Sequence, residues 1–133
     1  MPVAVESSVI ALGGAVGATL RFSIEVLVNR FALTPLLAAS GVLVGVNLLG
    51  CFALGALAGW LEQNRSSPLL RPFLGVGVCG AFTTFSGFAV HLRLLHGDAG
   101  ETAAAIFFGL SLLGGALAYV AGRALGRGGS GAS

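Results

Sequence analysis

The segment GVGVCGAFTTFSGF, Gly75–Phe88, sets glycines and hydroxyl side chains side by side within an apolar run. No charged residue lies between positions 72 and 90. A run of this length is typical of a helix that crosses a membrane, which needs about 18 or more apolar residues. Glycine and threonine are weak helix formers, so the segment predicts a membrane span with a weak point near its middle.

The rest of the chain has the same apolar character. Of 133 residues, 56% are hydrophobic and 9% are charged, whereas about 25% of the residues of a soluble domain are charged. We predict four transmembrane helices, at 6–28, 38–61, 70–95 and 102–124. The fold class is therefore an all-α membrane protein with one four-helix transmembrane domain at 1–125. The Gly-rich tail at 126–133 is predicted to be disordered.

The residues between the spans support these boundaries. Thr34-Pro35 separates the first two spans, Ser67 fits an N-cap before the third, and Gly97 fits a left-handed cap after it. The N-terminus has neither a basic segment nor a small-residue cleavage site, so we expect no signal peptide. Cys51 and Cys79 lie in mid-span and are predicted to be buried thiols.

Two functions of soluble proteins do not fit this sequence. GVGVCG matches the G-x-G-x-x-G pattern of dinucleotide-binding turns, but that site needs a preceding strand and a later acidic residue. No strand-like alternation precedes the glycines. The net charge of +2 is too small and too scattered to predict a nucleic-acid partner.

Other glycines recur at the spacing of closely packed membrane helices. The pairs are Gly13-x-x-x-Gly17, Gly41-x-x-x-Gly45 and Gly55-x-x-x-Gly59. Small residues four apart lie on one helix face and let a neighbouring backbone approach. We predict that all three pairs pack helices together.

The weak point at Gly80–Thr84 has two interpretations. A broken helix would release backbone carbonyls, which protein, water or an ion must satisfy inside a membrane. Such a break is a candidate ion site, as in transporters with discontinuous helices. Alternatively, Thr83 and Thr84 bond to carbonyls one turn earlier and the helix continues. The residues alone leave both open.

Three further polar residues in the spans are candidate site residues. Asn47 either joins helices through a hydrogen bond or presents an amide donor to a pore. Ser111 is a weaker candidate, because a serine in a membrane helix usually bonds its own backbone. Arg21 either attracts anions at a pore mouth or pairs with Glu25 one turn away.

These motifs together resemble the Fluc (CrcB) family of fluoride channels. The similar segments are GGAVGATLR at 13–21, VNLLG at 46–50 and GAFTTFSGF at 80–88, and the resemblance covers about residues 9–125. It implies an antiparallel, dual-topology homodimer in the inner membrane, with two fluoride pores and a third span broken in mid-membrane. It also implies a structural Na⁺ ion at the dimer axis. The function implied is passive export of cytoplasmic fluoride.

The resemblance also implies roles for individual residues. The backbone carbonyls of Gly80 and Thr83 would bind Na⁺, so two subunits would supply four oxygens. Arg21 would either line a vestibule of the pore or have a structural role. The fluoride pore would be lined by Asn47, Thr84, Phe85, Ser86, Phe88 and Ser111. One position departs from the pattern, because Gly87 stands where the family usually has threonine, which removes one hydroxyl from the expected polar track.

The chemistry of these side chains suits a small, strongly hydrated anion. The Asn47 amide and the hydroxyls offer N–H and O–H donors that replace water. A phenyl ring has a positive edge, so Phe85 and Phe88 could meet an anion edge-on. No arginine lies in mid-span, where a fixed cation would bind the ion too tightly for conduction.

The charge distribution is compatible with insertion in both orientations. One side of the four-span topology carries four arginines, Arg65, Arg71, Arg123 and Arg127. The other carries three, Arg21, Arg30 and Arg93. This bias is too small to fix one orientation, as an antiparallel dimer in membrane lipid requires.

Other classes of membrane protein remain as alternatives. A small multidrug-type, proton-coupled transporter of dual topology would need a carboxylate deep in the membrane, and Glu25, near a span end, is the nearest match. A passive assembly subunit would leave the Thr-Thr-Phe-Ser segment unexplained. An enzyme is not predicted, since the spans hold no acid–base pair and His91 and His96 lie near a span end with no visible partner.

Overall fold

The structure is a computed structural model that describes residues 2–30, 35–64 and 68–128. The elements are α1 (Val3–Asn29), α2 (Pro35–Gln63), a π-helix (Arg71–Cys79), α3 (Gly80–Phe82), α4 (Phe85–Asp98) and α5 (Glu101–Gly128). Four helical segments are long and apolar enough to cross a membrane: Val3–Val28, Ala38–Gln63, Arg71–Asp98 and Glu101–Gly128. The predicted four-span, all-α architecture is therefore confirmed, and the chain is a multi-pass membrane protein.

The ends of the elements correct several sequence predictions. Gly97 lies inside α4, and the left-handed residue is Gly100, with φ +89°. Helix α4 continues to Asp98, so the left-handed residue that follows it is Gly100 and not Gly97. Helix α5 extends to Gly128, three residues into the predicted disordered tail. Residues 129–133, Thr34 and the predicted N-cap Ser67 lie outside the described residues.

The third span is built from three pieces. Its first half is a π-helix that contains Pro72 near its start, where a missing N–H removes no internal bond. One α-helical turn, α3, follows, and then two extended residues, Thr83 and Thr84, before α4 begins. The predicted break is confirmed, but it is shorter than predicted, because Gly80–Phe82 is helical.

Two pairs of glycines bring helices into backbone contact. A Cβ at Gly13 or Gly17 of α1 would meet carbonyls of the π-helix, and one at Gly55 or Gly59 of α2 would meet carbonyls of α5. In α5, Gly122 and Gly126 meet α2 in the same way. The packing prediction is confirmed for these two pairs.

The third predicted pair behaves differently. A Cβ at Gly41 or Gly45 would find nothing within 4 Å among the described residues. This pair therefore does not pack helices within the subunit, and its packing against a second subunit stays a prediction. The apolar core lies elsewhere, between α2, α4 and α5, and it contains Leu43, Phe88, Leu95, Ala104 and Phe107.

Candidate functional site

The break in the third span forms the centre of the candidate site. Thr83 has φ −81° and ψ 155°, and Thr84 has φ −142° and ψ 120°. Both residues are extended, so the regular helical hydrogen bonds stop here. A break inside a membrane leaves polar backbone groups that need partners.

Asn47 of α2 supplies partners to the backbone of the break. Its Oδ1 accepts a hydrogen bond from the N–H of Thr84 at 2.9 Å. Its Nδ2 donates to the carbonyl oxygen of Thr84 at 3.3 Å. Both halves of the amide thus hold one extended residue in place. The helix-joining interpretation of Asn47 is confirmed, and one of the two Nδ2 protons is used for it.

The bond to Asn47 removes the helical hydrogen-bond partner of the Gly80 carbonyl in α3. In an unbroken α-helix the N–H of Thr84 would bond to the carbonyl of Gly80, four residues earlier. That N–H bonds to Asn47 instead. The N–H of Gly87, which would otherwise serve the carbonyl of Thr83, donates to Thr84 Oγ1 at 3.1 Å. The amides that would occupy the Gly80 and Thr83 carbonyls are therefore used elsewhere.

The two threonines at the break have different roles. Thr84 is the N-cap of α4, because its Oγ1 accepts from Gly87, and it lies 3.2 Å from the Oγ of Ser86. Thr83 Oγ1 donates back to the carbonyl of Cys79 at 3.1 Å. The backbone-bonding interpretation is thus confirmed for Thr83 only.

Gly87 is tightly surrounded. A Cβ there would lie 3.0 Å from both Leu43 Cδ1 and Thr84 Cγ2. The conformation that lets Thr84 cap α4 therefore leaves little room for a larger residue at position 87.

Arg21 of α1 reaches the same region. Its Nη1 donates to Glu25 at 3.0 Å, and its Nε lies 3.4 Å from the carbonyl oxygen of Ala81. The predicted pairing with Glu25 is confirmed. Arg21 also supplies a donor to a carbonyl at the end of α3, where the helix has no further amide to offer.

A polar cavity of about 260 Å³ lies beside the break. It is lined by Arg21, Glu25, Ala39, Val42, Leu43, Thr84, Ser86, Gly87 and His91. We call this space the break cavity. It brings the hydroxyls of Thr84 and Ser86 together with the guanidinium of Arg21, three groups that can donate hydrogen bonds to an anion.

His91 is a site residue that the sequence analysis left without a partner. Its Nδ1 lies 2.9 Å from the Oγ of Ser40, which is buried. Ser40 comes from α2, 51 positions earlier in the chain. In the sequence, the only feature that pointed to this contact was Ser40 itself, a serine among apolar residues. It does not indicate that the partner is His91.

The two predicted pore phenylalanines lie in different surroundings. Phe85 is 79% exposed, whereas Phe88 is buried. Their ring centroids are 5.6 Å apart. Phe88 also stacks on Phe107 of α5 at 5.5 Å. An aromatic row thus runs from the subunit surface into the core.

Ser111 differs from the sequence expectation. Among the described residues, its Oγ is the buried side-chain polar atom that has no hydrogen-bond partner. It does not bond its own backbone. Ser111 follows Phe107 by four positions and so lies on the same face of α5. A buried hydroxyl without a protein partner is rare and points to a site for a water molecule or an ion.

Comparison with known proteins identifies the family of the chain. The family model described as CrcB-like protein, Camphor Resistance (CrcB), matches residues 8–123. The chain belongs to the CrcB-like family. The predicted family membership is therefore confirmed over nearly all of the described helices.

Relatives with established names have similar sequences. The chain is 41% identical to the fluoride-specific ion channel FluC of Paracoccus denitrificans over 123 residues, which cover 90% of this chain and 92% of that protein. It is 43% identical to the FluC of Stutzerimonas stutzeri, covering 89% and 94%. With the FluC of Idiomarina loihiensis the identity is 42%, but the match covers 65% of this chain and only 64% of that protein.

Proposed function

We propose that this CrcB-like protein is a fluoride-selective ion channel that lowers cytoplasmic fluoride by passive export across the inner membrane. The observation that carries the proposal is the break in the third span, held by Asn47 and bordered by the break cavity. Relatives that match nearly the whole chain are named fluoride-specific ion channels. Conduction is not a chemical reaction, so we propose no enzymatic activity.

The proposed pore replaces the water around fluoride with neutral donors. The second Nδ2 proton of Asn47, the hydroxyls of Thr84 and Ser86, and the unpartnered hydroxyl of Ser111 would serve in turn. Neutral donors bind an anion weakly enough to release it, as conduction requires.

The aromatic row would complete the path. Phe85 and Phe88 would offer ring edges, which carry partial positive charge. Phe85 is largely exposed in the single subunit, which supports a position facing a partner across the pore.

The proton-coupled transporter is not favoured. It needs a carboxylate in the membrane that exchanges protons during transport. Glu25, the nearest match, is paired with Arg21 at 3.0 Å. A carboxylate bonded to an arginine near a span end is not the free, deeply placed acid that such a transporter requires.

An antiparallel homodimer in membrane lipid is part of the proposal. Val76 and Phe85 are large apolar residues exposed on the third span, on either side of the exposed Gly80. A second subunit packed on this face would bring the two breaks together. The almost balanced arginines support insertion of the two copies in opposite orientations.

We further propose one structural Na⁺ ion at the dimer axis. The carbonyls of Gly80 and Thr83 are among those at the break whose helical amides bond elsewhere, to Asn47 and to Thr84 Oγ1. Carbonyl oxygens are suitable ligands for a hard monovalent cation. Two copies would hold the ion with four oxygens, and its charge would favour anions nearby.

Ion efflux from liposomes tests the proposal. Purified protein would be placed in vesicles loaded with fluoride or with chloride, and release would be followed with ion-selective electrodes. We expect rapid fluoride release and chloride retention at the level of protein-free vesicles. Comparable release of both ions, or of neither, would overturn the assignment.

A further inference from the structure

The hydrogen bonds of Ser40 fix the tautomer of His91. Ser40 Oγ lies 2.8 Å from the carbonyl oxygen of Leu36 and 2.9 Å from His91 Nδ1. A hydroxyl has one proton, and a carbonyl can only accept. The arrangement that satisfies both contacts has Ser40 donate to Leu36 and accept from His91, which places the proton of the neutral imidazole on Nδ1.

This tautomer determines what protonation does to the ring. With Nδ1–H bonded to Ser40, the second nitrogen, Nε2, is an acceptor in the neutral imidazole. A second proton can bind only there. It converts a lone pair, which repels an anion, into an N–H donor on a cationic ring. His91 lines the break cavity together with Thr84 and Ser86, so that cavity experiences the change.

The other charged groups around His91 nearly cancel. From α1, Arg21 and Glu25 line the break cavity as a pair at 3.0 Å. From α2, Ser40 contacts the imidazole, and the residues that line the cavity are apolar: Ala39, Val42 and Leu43. From α5, the ring of Phe107 lies 6.4 Å from the imidazole. Among the described lining residues, protonation of His91 therefore changes the net charge of the cavity from zero to +1.

We propose that His91 is a proton-dependent anion-attracting residue, held in position by Ser40, and that fluoride flux rises when its imidazole becomes protonated. This inference rests on the proposed channel function. Histidine changes charge between about pH 5 and 8. A positive, partly enclosed cavity concentrates anions by up to about tenfold, so flux increases toward the acidic end of that range.

Two matched histidine variants test the flux role. Fluoride efflux would be measured at equal internal and external pH, at about pH 6 and about pH 8, with protein-free vesicles subtracted at each pH to remove passive leakage. We expect up to about tenfold faster efflux at the lower pH for the wild type. His96→Gln should behave in the same way, because His96 is exposed and outside the break cavity. His91→Gln should conduct with no such pH dependence. A pH dependence that survives in His91→Gln, or a flat wild-type profile, would overturn the role.

The tautomer has a test that does not depend on conduction. The chain has two histidines, so His96→Gln leaves His91 alone, and its ¹⁵N spectrum reports which nitrogen carries the proton. We expect Nδ1–H, and a loss of that preference when Ser40→Ala is added. An Nε2–H ring would overturn the positioning by Ser40. If Nδ1–H is observed but no fluoride moves at either pH, the channel assignment fails and the flux role fails with it, while the Ser40–His91 geometry stands.

Discussion

Asn47 contacts the N–H and the C=O of Thr84 with the two halves of one amide. A side chain that holds an extended residue in this way sets the position of the Thr84 backbone at the break. The same amide has a second N–H that can meet an anion. The observed structural role and the proposed conducting role therefore fall on a single residue, and a variant must separate them by charge.

Asn47→Asp provides that separation. A carboxylate still accepts from Thr84 but cannot donate to its carbonyl, so we expect a loss of about 1–3 kcal/mol in stability. Its negative charge beside the proposed path should abolish fluoride efflux, while the homodimer still forms. Efflux and size-exclusion chromatography with light scattering would measure both.

Asn64→Asp is the matched control. Asn64 bonds the carbonyl of Trp60 near the end of α2, far along the chain from the break. It should conduct like the wild type. Unchanged efflux in Asn47→Asp would return Asn47 to a purely helix-joining role.

Sequence reasoning identified Asn47 and Arg21 as candidates because polar residues stand out in apolar spans. It also identified Glu25, one turn away, as a partner of Arg21. It could not identify Thr84 as the partner of Asn47 or Ala81 as a second partner of Arg21, since those contacts depend on how helices pack. His91 was missed for the same reason, because Ser40 is 51 positions away. The roles of Ser86, Phe85, Phe88 and Ser111 in a pore stay predictions.

At the scale of helices, the four spans were predictable because apolar length is a local property of the chain. The extent of the break was not. Gly80–Phe82 remains helical, since the break begins where Asn47 of another helix competes for the backbone of Thr84. The π-helix before it has no pattern of its own in the sequence.

The two threonines give a matched test of the break. Thr84→Val removes the hydroxyl that caps α4, and loss of an N-cap costs about 0.5–2 kcal/mol. Thr83→Val removes a hydroxyl that only bonds back to Cys79, so it should cost little. We expect lower thermal stability and slower fluoride efflux for Thr84→Val alone. Equal losses in both variants would contradict the capping role.

At the scale of the whole molecule, the account depends on a second subunit. Many large apolar side chains lie exposed on the single subunit, as expected for surfaces that meet lipid or a partner. A larger residue at position 80 can distinguish a surface that meets lipid from one that meets a partner subunit. The nearest atom to a Cβ there is the carbonyl oxygen of Gly75, at 4.0 Å, so its own chain leaves room for a side chain.

Gly80→Leu should therefore damage the dimer rather than the subunit. A side chain at the proposed axis would separate the two breaks, so we expect a shift toward monomer in light scattering and a loss of fluoride efflux. Gly97→Leu is the control, because Gly97 is also helical and nothing lies within 4 Å of its Cβ position. A stable, conducting Gly80→Leu dimer would contradict the placement of Gly80 at the dimer axis.

The central claim is selectivity for fluoride, and a bi-ionic current measurement tests it most directly. Protein would be placed in a planar bilayer with sodium fluoride on one side and an equal concentration of sodium chloride on the other. A pore of neutral donors and ring edges that passes fluoride and excludes chloride predicts a zero-current potential of the sign and large size that fluoride movement alone produces. A zero-current potential close to zero, which means that chloride permeates as well as fluoride, would contradict the account.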